Sequence, residues 1–315
     1  MKFGFGVDVG GTTVKIAYFN ENGDLLDKWE IPTVTANGGE RILPDIAASV
    51  LSYLQEKKIS KEDILGVGLD VPGPVDENGV VNRCVNLGWG VFNVVEAMEK
   101  LVGMPVCAGN DATVAALGEC WKGGGAGCKN LVMATLGTGV GGGIVIGGNV
   151  IHGVHGAGGE IGHITLEPDE TEVCGCGKRG CVEQYCSATG IVRLAKKRLA
   201  ADSTASVLRD VPEISAKAVF DAGKAGDALA NEVLEQVYGY LGRFLADVCC
   251  VVDPEAVVLG GGVSKAGQIL LDGAKRYYDK YVFHAARTVR FELASLGNDA
   301  GAYGAFKLVL DAVRR

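Results

Sequence analysis

Apolar side chains come in short runs separated by glycine, and their spacing predicts alternating strands and helices. Residues 3–8 (FGFGVD) and 14–19 (VKIAYF) are rich in strand-formers and flank a Gly-Gly turn, which predicts a hairpin. Ile42, Ile46, Val50 and Leu54 fall at helical spacing and predict a helix over 40–57. Pro44 fits only in the first turn of that helix, where its missing N–H is harmless. A strand is expected over 64–71 (ILGVGLDV), ending in the rigid turn PGPVDENG. A helix over 93–102, a strand over 104–108 and a helix over 112–121 follow. The segment 131–146 (LVMATLGTGVGGGIVI) then repeats the opening plan of strand, glycine-rich turn and strand, which predicts a duplicated architecture with one such hairpin per lobe. Later come helices over 187–200, 215–224, 226–249 and 264–279, a strand over 255–259 and a final helix over 299–313. The lobe boundary is expected near residue 112.

Composition narrows the class. The chain has 315 residues, enough for two domains. Of these, 48 are glycine, about twice the usual ~7%. No collagen period or linker repeat accompanies them, so they serve turns and close backbone approaches. The formal charge is −8 with no basic stripe, which argues against a nucleic-acid partner. The opening MKFGFGVDVGGTT lacks the pattern of a signal peptide. Apolar runs are broken well before the ~18–20 residues of a membrane span, so no membrane partner and a cytoplasmic location are expected. Ten cysteines in a reducing compartment raise the prospect of a metal site over disulfides.

Three glycine-rich turns are candidate phosphate cradles: Asp8-Val9-Gly10-Gly11-Thr12-Thr13, Gly137-Thr138-Gly139-Val140-Gly141-Gly142, and Gly260-Gly261-Gly262-Val263-Ser264. Glycines let successive N–H groups converge on an anion, and threonine hydroxyls add donors. Asp8, at a strand end, is placed to orient Mg²⁺ through water. Each loop taken alone reads equally well as a tight hairpin or a helix start. The second loop matches G-x-G-x-x-G, but a strand follows it where a dinucleotide site needs a helix. A Walker A sequence is absent.

Asn110 and Asp111 sit where a strand meets a helix. Both are favoured helix N-caps, and for Asp111 alone that reading is the stronger. The functional alternative is a carboxylate at a strand's C-terminal end, where open α/β folds place ligands. There it would accept the proton of a hydroxyl nucleophile. Glu160, flanked by glycines, is either a solvated turn residue or one of several groups converging on a polyol.

Cys174, Cys176 and Cys181 lie within eight residues of one another, with His163 eleven residues upstream of the first. Three cysteines and a histidine make a closed tetrahedral zinc site. His163 is the nearest candidate for the fourth ligand, with His152 and His155 as alternatives.

Together these motifs resemble the ROK (repressor, open reading frame, kinase) family. Asp8-Val-Gly-Gly-Thr12 looks like its N-terminal phosphate motif, Asn110-Asp111 like its sugar-binding Asn and catalytic Asp. Gly159-Glu160-Ile-Gly-His163 and Cys174-x-Cys176-Gly-x-x-Gly-Cys181-x-Glu183 look like its two signature stretches. The resemblance implies an α/β, two-lobed actin/hexokinase-like (ribonuclease H-like) fold with a central cleft. The lobes are expected as 1–112 plus 299–315, and 113–298. It also implies ATP-dependent sugar phosphorylation, with Mg²⁺ and structural Zn²⁺. Gly10, Gly11, Thr12, Thr13, Gly137, Thr138 and Gly139 would hold phosphates, and Gly260, Gly261 and Gly262 would lie beside the nucleoside. Asn110, Glu160, His163 and Glu183 would bind the sugar, and a homo-oligomer is implied.

The stretch Pro72-Gly73-Pro-Val-Asp76, followed by Asn86-Leu-Gly-Trp89, most resembles the glucokinase branch, so Gly73 and Asn86 join the sugar candidates and glucose is the expected acceptor. Thr113 departs from the pattern, since many members carry Asn there. Other hexoses and N-acetylhexosamines are the nearest alternatives. A repressor, with its DNA-binding domain ahead of this part, is disfavoured because the first hairpin begins at residue 3.

Overall fold

The computed structural model describes residues 1–314. The chain opens with β1 (Phe3–Val9), β2 (Thr13–Asn20) and β3 (Leu25–Pro32), then a short distorted turn, α1 (Ala36–Gly39), and α2 (Ile42–Lys57). Next come β4 (Ile64–Val71), β5 (Val80–Cys84), β6 (Trp89–Asn93), α3 (Val94–Val102), β7 (Val106–Asn110) and α4 (Asp111–Lys122). A second run supplies β8 (Leu131–Leu136), β9 (Val140–Ile146), β10 (Asn149–Val150), α5 (Glu183–Cys186), α6 (Ala188–Ala201), α7 (Ala216–Lys224), α8 (Ala228–Val252), β11 (Ala256–Gly260), α9 (Gln268–Tyr281), β12 (Arg290–Leu293) and α10 (Ala300–Arg314).

The chain divides into two compact units, one of 1–129, 143–159 and 296–315, the other of 130–142 and 160–295. The sequence-based boundary at residue 112 coincides with the start of α4, a helix that belongs to the first unit throughout.

The first unit is built on a five-stranded sheet of order β3-β2-β1-β4-β7. β1, β2 and β3 are antiparallel neighbours, whereas β4 pairs in parallel with both β1 and β7. Strand side chains alternate between faces, and in β1 this sorts Phe5, Val7 and Val9 from Gly4, Gly6 and Asp8. The apolar set packs with Ile46 and Val50 of α2 and Met98 of α3. The glycine set lets α10 approach closely. A Cβ at Gly6 would lie 1.9 Å from the Ala302 carbonyl oxygen, and one at Gly68 only 1.8 Å from that of Ala305. The same alternation leaves Asp8 and Asp70 on the α10 face.

In the second unit β11 pairs in parallel with β8 and β12, and all five of its residues are buried. That explains its unbroken apolar run. The strand order within this unit is β8-β11-β12. α8 is the longest helix and starts where Asp227 accepts the Ala230 N–H at 2.9 Å. Among the described residues, no helix is long and apolar enough to cross a membrane.

Several elements differ from expectation. β7 runs to Asn110 rather than ending at residue 108. The helix expected over 264–279 is a 3₁₀ turn at Gly262–Ala266 followed by α9, because Gly267 at φ +81 breaks the run.

Candidate functional site

The β1–β2 hairpin closes through the Gly10 N–H, which donates to Thr13 O at 3.1 Å, while the Thr33 hydroxyl donates to Gly10 O at 2.7 Å. Gly11 and Thr12 are left exposed at the tip, with Thr13 half-buried behind them. Asp8, at the base of this loop, pairs with Lys15 at 2.8 Å. Burial works against the Lys15 charge, but its hydrogen bond and attraction to Asp8 raise its pKa overall.

At the end of β7 the two candidate caps take different jobs. Asn110 is the N-cap of α4: its Oδ1 accepts the Thr113 N–H at 3.4 Å, and its Nδ2 donates to Gly73 O at 3.1 Å. Asp111 is therefore the first helical residue, with Oδ1 accepting the adjacent Ala112 N–H at 2.8 Å. Its surface is exposed although protein crowds it on most sides. The accessible surface decides that a ligand can reach it; the crowding decides that its charge is poorly hydrated. That desolvation raises its pKa, Asp8 adds to the rise, and hydrogen bonds from Ala112 and Asn110 oppose it. Its charge also acts on the Cys84 thiol, which donates to Pro72 O and takes N–H contacts from Leu87 and Asn86. Asp8, Gly73, Asn86, Asn110 and Asp111 thus fall in one neighbourhood of the first unit.

The structure adds Asp70, which sequence reading passed over. It is 3% exposed, registers with Asp8 across β1–β4, and leaves its Oδ1 without a partner. Burial pushes its carboxyl well above the usual range, reinforced by Asp8 and Asp111. A lone acid in the apolar run ILGVGLDV was the available signal.

In the second unit, the β8–β9 turn closes with the Gly137 N–H donating to Gly139 O at 3.0 Å. Glu183 lies against this turn. Its Oε2 accepts the Val140 N–H at 3.1 Å, and a Cβ at Gly139 would sit 2.1 Å from that oxygen. Gly260 ends β11, and Gly261 and Gly262 lead into the 3₁₀ turn. Beside them is a cavity of ≈ 330 Å³ lined by Ser215, Lys217, Phe220, Lys224, Gly262 and Lys265 among others. Sequence reading missed the α7 side of it, whose serine cap and helical lysines carry no motif.

Ligand atoms of His163, Cys174, Cys176 and Cys181 all lie within 4.8 Å of one another. The Cys176 and Cys181 sulfurs are 3.7 Å apart, and the Cys174 sulfur is 3.9 Å from His163 Nδ1. Sulfurs on a tetrahedral zinc, with Zn–S of ~2.3 Å, stand ~3.8 Å apart, so the four groups fit that ion. Burial raises the Cys174 and Cys181 thiols, whereas backbone N–H contact at Lys178 lowers Cys176. The opposite ring nitrogen of His163 is 3.9 Å from Glu160 Oε2. His152 lies elsewhere, in the first unit, its ring 3.5 Å from a Cβ at Gly109 and lining a ≈ 720 Å³ cavity with Asp76 and Glu77.

The model of the ROK family matches residues 4–312. The glucokinase of Halalkalibacterium halodurans is 44% identical over 96% of this chain and 94% of that protein. Among solved structures, the ROK hexokinase of Thermus thermophilus is 31% identical with a TM-score of 0.82, covering 98% of this chain and 99% of the other. A ROK family glucokinase from Streptomyces griseus, solved with glucose and AMPPNP, is 34% identical with a TM-score of 0.73, covering 97% and 98%.

Proposed function

The chain belongs to the ROK family, and from that premise we propose that it transfers the γ-phosphoryl group of ATP to the 6-hydroxyl of glucose. The observation that carries this reading is Asp111. It is an accessible carboxylate at a strand's C-terminal end, relieved of capping duty by Asn110 and made more basic by its surroundings. The glucokinase relatives support glucose as the acceptor.

A sugar hydroxyl is a weak nucleophile that must lose its proton during transfer. Asp111 would take that proton, an effect typically worth ~10²–10⁴ in rate. Its raised pKa makes it a stronger base than an ordinary aspartate. Asn110, Gly73 and Asn86 would fix the sugar from the same unit, and Glu160, His163 and Glu183 from the other. The Gly10–Thr13 and Gly137–Gly139 turns would donate N–H groups to phosphate oxygens, and the cavity beside Gly262 suits a nucleoside. Asp8 would hold Mg²⁺, which would supply charge neutralisation. Zinc on His163, Cys174, Cys176 and Cys181 supplies rigidity and no chemistry.

An ADP-release assay over glucose, mannose, fructose, allose, N-acetylglucosamine and N-acetylmannosamine tests the reading. Glucose should give the highest kcat/KM. Turnover confined to an N-acetylhexosamine would replace glucose as the substrate, and no sugar-dependent ADP release would overturn the kinase reading.

A further inference from the structure

The cysteine segment and the β8–β9 phosphate turn are wired together. Three backbone groups of the turn are held by residues just after Cys181. Gly137 O accepts the Ala188 N–H at 2.8 Å, Thr138 O accepts the Thr189 hydroxyl at 2.8 Å, and the Val140 N–H donates to Glu183 at 3.1 Å. The holding residues are themselves locked. The Ser187 hydroxyl donates to Glu183 O at 2.6 Å and accepts the Gly190 N–H at 3.0 Å. Cys181 joins this unit directly: its N–H donates to Gln184 Oε1 at 3.1 Å, and its carbonyl accepts the Gln184 N–H at 2.9 Å.

The histidine segment reaches the same turn from another side. Gly162, next to His163, packs so tightly on Val140 that a Cβ there would lie 1.9 Å from the Val140 carbonyl oxygen. The two segments are tied to each other by the Val182 N–H donating to Ile164 O at 2.9 Å.

We propose that the four-ligand metal site sets the shape of the Gly137–Val140 turn, so that the cation governs nucleotide phosphate binding, with Glu183 and Thr189 as the positioning residues. The proposal rests on the kinase reading and extends it. Gly139 then lacks a side chain to admit the Glu183 carboxylate, and Gly137, whose Cβ would meet nothing within 4 Å, keeps the open side for the phosphate. A loop held by three external hydrogen bonds presents its N–H groups without reorganising, which is how preorganisation raises affinity.

The test uses zinc-loaded full-length protein and AMPPNP binding by calorimetry without sugar, alongside amide hydrogen exchange at residues 138–140. Thr189→Val should weaken AMPPNP about five- to tenfold, the typical reach of one hydrogen bond. Its glucose affinity should stay unchanged, and Thr189→Ser should restore AMPPNP affinity. Chelation of the metal should accelerate exchange at those amides. Wild-type AMPPNP affinity in Thr189→Val, or unchanged exchange after verified metal removal, would overturn the coupling. If the zinc-loaded wild type binds no AMPPNP, the kinase reading fails instead, and the exchange measurement still decides whether metal and turn are linked.

Discussion

Asp70 stands directly across from Asp8 in the parallel β1–β4 pair, and both carboxyls converge on Gly301 in the first turn of α10. A Cβ at Gly301 would meet Asp70 Oδ2 at 2.0 Å and Asp8 Cγ at 3.5 Å. The arrangement follows from strand alternation, which puts both acids on the face that α10 covers. A helix N-terminus favours negative charge, but one fully buried carboxyl between two others does not ionise freely.

That burial gives a pH prediction. The Asp70 carboxyl is raised above its ordinary value by burial, then by Asp8 and Asp111. A raised folded-state pKa contributes stability below the unfolded pKa and loses it as pH rises through the folded value. Wild-type Tm should therefore fall, relative to Asp70→Asn, as pH climbs from below the ordinary carboxylate range to above the raised value. Parallel Tm curves for the two proteins across that window would show that Asp70 carries no linked proton.

Close packing of α10 on the sheet gives a second. Gly68→Ala drives a methyl into the Ala305 carbonyl, and neither backbone can yield without parting sheet from helix. It should cost about 1–3 kcal/mol or more by urea unfolding. Gly90→Ala, with nothing within 4 Å of the new atom, should stay within about 0.5 kcal/mol. Equal stabilities for the two variants would contradict the packing described for Gly68.

The metal cluster makes a third. Metal analysis should find one zinc per chain, and cobalt exchanged into the site should give the visible bands of a tetrahedral thiolate complex. Cys181→Ser, which removes a buried candidate ligand, should lose the ion and lower Tm. Full metal content in that variant would remove Cys181 from the ligand set.

Much of this was legible in the sequence because local chemistry decided it. The β1–β2 and β8–β9 hairpins, the cysteine cluster and α2, with Pro44 in its first turn, all emerged where the residue pattern put them. What escaped depended on distant partners. β3 carries Asp27, Lys28 and Glu30, tolerable because it is an edge strand, so it lacks a strong apolar signature. β12 has four residues and exists through pairing with β11. The competition between cap and base at Asn110-Asp111 could not be decided from residue type, since both side chains cap equally well. The backbone decides only which of the two caps, by ending β7 at Asn110 and making Asp111 the first helical residue. Gly139 reads in the sequence as a phosphate-holding backbone position; residue type did not show that its missing Cβ also makes room for a carboxylate 44 positions downstream.

Asp111 is the residue on which the enzymatic account turns, and steady-state kinetics of Asp111→Asn with ATP and glucose test it most directly. The substitution keeps the shape of the side chain and removes its capacity to take a proton. The account predicts a fall in kcat of about 10²-fold or more, with glucose KM little changed and the folded structure intact. A kcat near that of the wild type would contradict it.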